Sequence, residues 1–309
     1  MSLKIGVVGV GHMGRIHALK LLGMEGVTLL GIADTEDTCL EGFTQQHKTN
    51  CFKDHKELLN AEAVVIATPT ETHYDIAKNF MEHGIHVFME KPITATTGQA
   101  QELIALADER NLVFQIGHLE RFSPPFVSAT PLITNPLFIE AHRLSPFTGR
   151  STDIDVIFDL MIHDIDLTLS IVKSDVREIR AQGTPVVTNK IDAASARIEF
   201  QSGCVANLTA SRVSVERERK YRIFQQDRYL SIDLMNGKML AALRDGREGL
   251  SIKEFEAERM DPVGEELSDF VRSVQELRRP RVEGVHGLRA LIVANDITAE
   301  IKRHLAAAG

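Results

Sequence analysis

The sequence predicts an α/β domain built on a parallel sheet, followed by an α+β domain with an open, mostly antiparallel sheet. Three observations carry this. The first third alternates short apolar, β-branched runs with amphipathic stretches, as strands buried on both faces by helices do. That alternation stops in a stretch punctuated by Pro124, Pro125, Pro131 and Pro136. Beyond it, apolar and polar residues alternate in consecutive runs, and Asn236-Gly237 and Asp245-Gly246 mark tight hairpins, whose central residues need positive φ.

Taken in order, strands are expected at Leu3–Val10, Val27–Ala33, Ala63–Ala67, Ile85–Met89 and Val113–Ile116. Helices are expected between them at Gly14–Leu22, Glu36–His47, Thr72–His83 and Thr97–Arg110. A helix at Phe158–Val172 follows, then strands at Val176–Pro185, Ala194–Gln201, Val205–Val213, Lys220–Gln226 and Tyr229–Leu234. The tail reads as helical over Glu265–Leu277 and Gly287–His304. A chain of 309 residues suits two cores better than one. The boundary falls near Gly117–Arg121, giving domains 1–119 and 120–309.

The formal net charge of −8 argues against a nucleic-acid partner, which needs clustered Lys and Arg. Cys39, Cys51 and Cys204 form no Cys-x-x-Cys pair, and an odd, sparse set fits a reducing cytoplasm. No run approaches the roughly 18 apolar residues of a membrane span. The apolar N-terminus is interrupted by Gly11, His12 and Arg15, so it reads as a strand and not a leader.

Gly9-Val10-Gly11-His12-Met13-Gly14 follows a strand and opens a helix, the context that turns a weak Gly motif into a dinucleotide fingerprint. Gly9 permits the tight turn, Gly11 lets backbone approach a pyrophosphate, and Gly14 lets helix pack on strand. The helix N-terminus adds unpaired N–H groups and positive dipole. Asp34 ends the second strand about 20 residues beyond Gly14, where an acid accepts from the adenosine ribose hydroxyls. Its charge would repel a 2′-phosphate, so the first domain reads as a Rossmann domain for NAD in preference to NADP. The alternative is a Gly-rich turn that binds nothing, with Asp34 capping a helix.

Two further motifs sit at strand ends: Thr68-Pro69-Thr70-Glu71-Thr72-His73 and Glu90-Lys91-Pro92. Pro92 biases Lys91 toward an extended backbone. With the fingerprint, these match in order and spacing the Gfo/Idh/MocA family, the group of glucose–fructose oxidoreductase and inositol dehydrogenase, which the whole chain resembles. Gly117-His118-Leu119-Glu120-Arg121-Phe122 is similar to that family's segment at the domain boundary. So is Asp159-Leu160-Met161-Ile162-His163-Asp164-Ile165-Asp166, an Asp followed four residues later by His. In place of the Gly run common before this helix stand Asp155-Val156, and Met161 stands where a Gly is usual.

The resemblance implies alcohol oxidation by NAD. It implies cofactor contacts at Gly9, Gly11, His12, Met13, Gly14, Asp34, Thr68, Pro69, Thr70, His73, Glu90 and Lys91. Removing a hydride from a secondary alcohol also releases a proton, which needs a base. A lysine serves if it is neutral part of the time, as desolvation or a positive nicotinamide ring would make it. The reading is Lys91 as principal base, His163 as its acid/base partner and Asp159 as orienter. Asp159, His163 and Asp166 are spaced i, i+4, i+7 and would share one helix face, with Ile162, Ile165, Leu169 and Val172 on another. The competing readings of that face are a metal site and a solvated surface; no Cys or second His joins it, so no metal is expected.

Arg143 and Arg150 in the loop before this helix, Arg121 at the boundary and Arg212 at a strand end are candidate substrate contacts, beside Lys91, Asp159 and His163. Arginine is suited to bidentate phosphate contacts. The arginine loop with the Asp/His helix resembles those family members that oxidise the 3-hydroxyl of UDP-N-acetylglucosamine. The substrate is thus expected to be a sugar or nucleotide sugar. The alternatives are a free polyol or aldose such as inositol, a non-sugar carbonyl or tetrapyrrole, and a sensor that binds NAD(P) without catalysis. An open antiparallel sheet face needs covering, so a homodimer or homotetramer through the C-terminal sheet is expected.

Overall fold

The computed structural model describes residues 2–44, 47–149, 152–246, 249–258 and 260–308. Contacts divide the chain into two units: Met1–Leu119 with Val263–Leu288, and Glu120–Pro262 with Arg289–Gly309. The second part of the chain is therefore not one continuous domain over 120–309, because Val263–Leu288 returns to the first unit.

In the first unit the strands are β1 (Leu3–Val8), β2 (Val27–Ala33), β3 (Cys51–Phe52), β4 (Ala63–Ile66), β5 (His86–Glu90) and β6 (Phe114–Gly117). They form one sheet in the order β3-β2-β1-β4-β5-β6, with every pairing parallel. The order reverses direction between β1 and β4, the switch point at which such sheets bind ligands beyond their carboxyl ends. The connecting helices are α1 (His12–Leu22), α2 (Asp37–Thr44), α3 (Thr70–Glu82) and α4 (Thr97–Glu109). Thr96 starts α4 through a reciprocal capping box with Gln99, a device worth about 1 kcal/mol. The core sets Ile5, Val7, Ile32, Val65 and Phe88 of the sheet against Ala18 and Leu21 of α1. Leu267, Phe270, Val271 and Val274 of a later helix close the same core.

The second unit begins with an element that the sequence reading missed. Pro124 and Pro125 start a short helix, α5 (Pro124–Ala129), because a first helical turn does not need their absent N–H groups. Strand β7 (Phe138–Leu144) follows, then a π-helical turn over Ile157–Met161 that leads into α6 (Ile162–Ile171). Next come β8 (Val176–Thr184), β9 (Ala193–Phe200), β10 (Val205–Ser211), β11 (Glu218–Phe224), β12 (Arg228–Asp233), β13 (Lys238–Asp245) and β14 (Gly249–Glu256). The sheet order is β14-β13-β12-β11-β7-β10-β9-β8, antiparallel throughout except for β7 with β10. Helices α7 (Pro262–Glu276) and α8 (Gly284–Ala308) end the chain.

Both expected hairpins form, but with longer loops. Asp233 pairs with Lys238 and Asp245 with Gly249. Gly237 (φ +70°) and Gly246 (φ +66°) take the left-handed conformation, and Asn236 does not. Instead the Asp233 carboxylate accepts from the backbone N–H groups of Met235 and Asn236, and so shapes the first loop.

The core of this unit lies on one face of the sheet, where Ile139, Ala141, Leu208, Tyr221, Ile223, Leu230 and Ile232 alternate inward. Ile162, Ile165 and Leu169 of α6 cover it, as do Ala290, Ala294, Ile297 and Ile301 of α8 at helical spacing. Tyr221 and Thr168 tie sheet to helix by a buried 2.7 Å hydroxyl–hydroxyl hydrogen bond.

Candidate active site

In the first unit the fingerprint, Asp34, Thr68-Pro69-Thr70 and Glu90-Lys91 all lie at or just beyond the carboxyl ends of parallel strands, so the sheet gathers them at one end. The three glycines have separate reasons. Gly9 sits at φ +83°, and a Cβ there would lie 2.7 Å from the Ala67 carbonyl oxygen. A Cβ on Gly14 would fall 1.8 Å from the Gly9 oxygen, so the helix can pack this closely only with glycine. Gly11 has nothing within 4 Å of its Cβ position. Its glycine is therefore unexplained by the protein's own packing and fits the close approach of a pyrophosphate. The exposed His12 and half-buried Met13 begin the first turn of α1, whose N–H groups lack intrahelical acceptors.

Gly11→Ala and Gly14→Ala should therefore separate. Gly11→Ala is expected to leave thermal stability unchanged and weaken NAD binding about tenfold or more. Gly14→Ala is expected to lower the melting temperature itself. Titration calorimetry beside thermal unfolding reads both.

Asp34 Oδ2 accepts from Val10 N–H at 2.7 Å and Oδ1 from Glu36 N–H at 2.9 Å. The carboxylate thus braces the Gly loop, yet each oxygen keeps acceptor capacity for ribose hydroxyls. Thr68, Thr70 and Pro69 surround the entry to α3, where Thr72 donates to Thr68 Oγ1 or to the Pro69 carbonyl oxygen, each at 2.8 Å.

Both ring nitrogens of His73 are turned to main-chain carbonyls. It is buried, with Nδ1 3.0 Å from the Pro92 carbonyl oxygen and Nε2 2.9 Å from that of Thr68. It braces the loop after β4 to the loop after β5. Burial lowers its pKa, against the pull of the two carbonyls.

Glu90 is likewise 7% exposed and directed inward: Oε1 accepts from His17 Nε2–H at 2.7 Å and Oε2 from the Lys91 backbone N–H at 3.2 Å. Burial works against its charge, but His17 and Lys91 hold its pKa below the usual value. His17 carried no role in the sequence reading, although its place in α1, three residues after Gly14, was visible. Lys91 itself is half-buried, and the Lys91–Pro92 peptide is cis.

In the second unit Asp159 lies within the π-helical turn and His163 in the first turn of α6. The π-turn breaks the expected i, i+4, i+7 line. Asp159 and His163 are half-buried, whereas Asp166 is nearly fully buried. Asp166 takes a bidentate pair from Arg121, at 2.7 Å from Nε and 2.6 Å from Nη2.

The remaining candidate arginines are also turned inward. Arg143 is 3% exposed and donates to Asp164 at 3.0 and 2.8 Å and to Glu120 at 2.7 Å. Burial opposes its charge, yet the two carboxylates raise its pKa. Burial and the neighbouring Glu120 push Asp164 up, against the pull of Arg143. Arg219, 3.9 Å from Glu120, adds a second positive charge. Arg212 is buried and donates to the carbonyls of Ile154 and Ile191, with Asp192 3.4 Å from its Nε. In this structure these three arginines face carboxylates and carbonyls of their own unit. Arg150 lies outside the described residues.

Glu120 and Asp164, missed from sequence, had one legible signal. Ile162, Asp164, Ile165, Asp166 and Leu167 are all buried, and charges on a helix buried on most sides must be paired.

A parallel sheet in this strand order, with open space beside Gly11 and an acid just beyond β2, defines a dinucleotide-binding domain of the Rossmann type. Residues 3–118 match the family model described as oxidoreductase family, NAD-binding Rossmann fold, and residues 139–230 match the GFO/IDH/MocA C-terminal domain. The chain belongs to the GFO/IDH/MocA family. It is 37% identical to UDP-N-acetylglucosamine 3-dehydrogenase of Acidithiobacillus ferrooxidans over 99% of both chains. It is 26% identical to myo-inositol 2-dehydrogenase of Thermotoga maritima over 94% of both. A crystal structure of the Acidithiobacillus enzyme superposes with a TM-score of 0.93, covering 98% of this chain and 99% of that one.

Proposed function

We propose that this chain oxidises the 3-hydroxyl of UDP-N-acetylglucosamine with NAD. The observation that carries this reading is the full-length likeness to the Acidithiobacillus enzyme named for that substrate.

When bound, NAD supplies the hydride acceptor. The Gly9–Gly14 turn and Asp34 hold it, and Lys91 takes the hydroxyl proton. His163 shares that proton, and Asp159 holds the orientation of His163. Lys91, His163 and Asp159 also contact the sugar.

The test is a panel of UDP-N-acetylglucosamine, other nucleotide sugars, free aldoses and inositol, with NAD and a carbonyl trap. Reduced cofactor is read by fluorescence. A signal with UDP-N-acetylglucosamine alone is expected. One specific observation favours a second reading, a free polyol or aldose: the described arginines expected to hold phosphate are occupied by carboxylates and carbonyls. A signal only with inositol or aldoses would establish that reading and remove the first.

We also infer that the protein works in the cytoplasm as a homodimer or homotetramer through the second-unit sheet. The unpaired Cys51 and Cys204 support the first point. No described helix is long and apolar enough to cross a membrane. For the second, the sheet face opposite the core carries a row of half-buried rings, Phe138, Phe224 and Tyr229, with centroids 5.4 and 4.8 Å apart. Phe224→Glu is expected to shift the sedimentation coefficient to that of a smaller species; an unchanged value would remove the sheet as the interface.

A further inference from the structure

We propose that His17 is a positioning residue for the Lys91 base: by engaging Glu90, it keeps that carboxylate from claiming the Lys91 ammonium. The inference rests on the reading of Lys91 as the base.

Glu90 and Lys91 are adjacent, and a carboxylate free beside an ammonium would pair with it. A lysine so held stays protonated, and only the neutral amine can accept the substrate's proton. In this structure Glu90 is directed elsewhere. Oε1 is taken by His17 Nε2–H at 2.7 Å and Oε2 by the Lys91 main chain at 3.2 Å. Three features fix that direction. His17 is fully buried and packs edge-on against Phe88, with ring centroids 5.2 Å apart. Among the described residues its Nδ1 is buried without a hydrogen-bond partner, and the ring's polar contact is Glu90. On the other side Glu90 packs on the bare backbone of Gly117, where a Cβ would lie 3.1 Å from Glu90 Cδ and Oε2. The carboxylate is thus bounded on the Gly117 side, and its hydrogen bond to His17 holds it on the other.

The arrangement also joins two parts of the cofactor edge. His17 lies in the helix whose first turn opens from the fingerprint, and Glu90 ends β5 immediately before Lys91. The helix that meets the pyrophosphate is thus tied by one hydrogen bond to the residue beside the base.

The test reads Lys91 directly, without substrate. Amine labelling with acetic anhydride across pH, quantified on the Lys91 peptide by mass spectrometry, gives the pH at which the amine becomes reactive. His17→Leu is expected to move that midpoint up, because Glu90 turns to its remaining cation. Glu90→Gln is expected to move it down, because the ammonium loses a neighbouring negative charge. His17→Gln, whose amide N–H reaches Glu90, is expected to keep the wild-type midpoint, and His17→Asn, one carbon shorter, to follow His17→Leu. If His17→Leu does not fold, the Gln and Asn variants decide. Midpoints equal to wild type in His17→Leu and His17→Asn, or equal to each other in the Gln and Asn variants, would overturn the proposal. Turnover of UDP-N-acetylglucosamine by Lys91→Met, measured alongside, judges the base itself: activity there defeats the reading of Lys91, whereas the labelling midpoints judge only His17.

Discussion

Replacing Lys91 with methionine is expected to lower kcat by about 10²- to 10⁴-fold, the usual worth of a general base. The Kd for NAD is expected to stay within about twofold of wild type, a change worth about 0.4 kcal/mol. The two quantities separate because different residues carry them. The Gly9–Gly14 turn and Asp34 belong to the loops after β1 and β2, and none of their hydrogen bonds described above involves the Lys91 side chain. Methionine keeps the unbranched stem and removes the amine. Lys91→Arg is not expected to rescue, since a guanidinium holds its proton at any working pH. Stopped-flow reduction of NAD and fluorescence titration measure the two. A variant that still turns over within tenfold of wild type would shift the base to another group. Unchanged NAD binding with no activity in wild type itself would favour a sensor.

Arg143→Met is expected to cost the second unit about 3–5 kcal/mol, because it leaves Glu120 and Asp164 buried without their shared counter-ion. A surface pair would cost far less, but Arg143 is 3% exposed and its partners 4% and 3%. The pH dependence has a definite sign. The folded-state pKa of Asp164 is already raised above 3.8 by burial and by Glu120, and Arg143 pulls against that rise. Without Arg143 the rise grows, so the folded state binds a proton that the unfolded state has released. Stability of the variant should then increase as pH falls from neutral through the raised value toward the ordinary carboxylate range, and decline again as pH rises. Adding Asp164→Asn should reduce that dependence and recover part of the loss. Urea unfolding at a series of pH values measures it. A cost below about 1 kcal/mol would mean that water reaches the cluster.

The fold was legible because its signals are local and periodic. Ala63–Ile66 and Val27–Ala33 announce parallel strands by β-branched runs, and Gly9, Gly11 and Gly14 by a spacing that backbone geometry demands. Candidate chemistry at strand ends was legible for the same reason. What the sequence hid is set by pairing across distance. Nothing near Arg143 reveals that Glu120 and Asp164 fill its fork. Nothing near His73 reveals the two carbonyls that claim its nitrogens. The π-turn at Ile157–Met161 also escaped, because hydrophobic periodicity assumes one helical pitch and a single wider turn shifts every residue after it.

The first unit is sewn from two separate lengths of chain, and this has a consequence for how the protein is made. Phe270 of α7 packs against Phe88, and the backbone of Gln115 in β6 pairs with that of Glu283. A ribosome that has delivered residues 1–119 has therefore made every strand of the parallel sheet but not its last covering. At roughly 5–20 residues per second, that sheet would wait on the order of ten seconds with Phe88 and its neighbours uncovered. The nascent NAD domain is thus a natural client for a chaperone until Val263–Leu288 emerges, and a truncated protein ending at residue 119 should aggregate where the full chain does not.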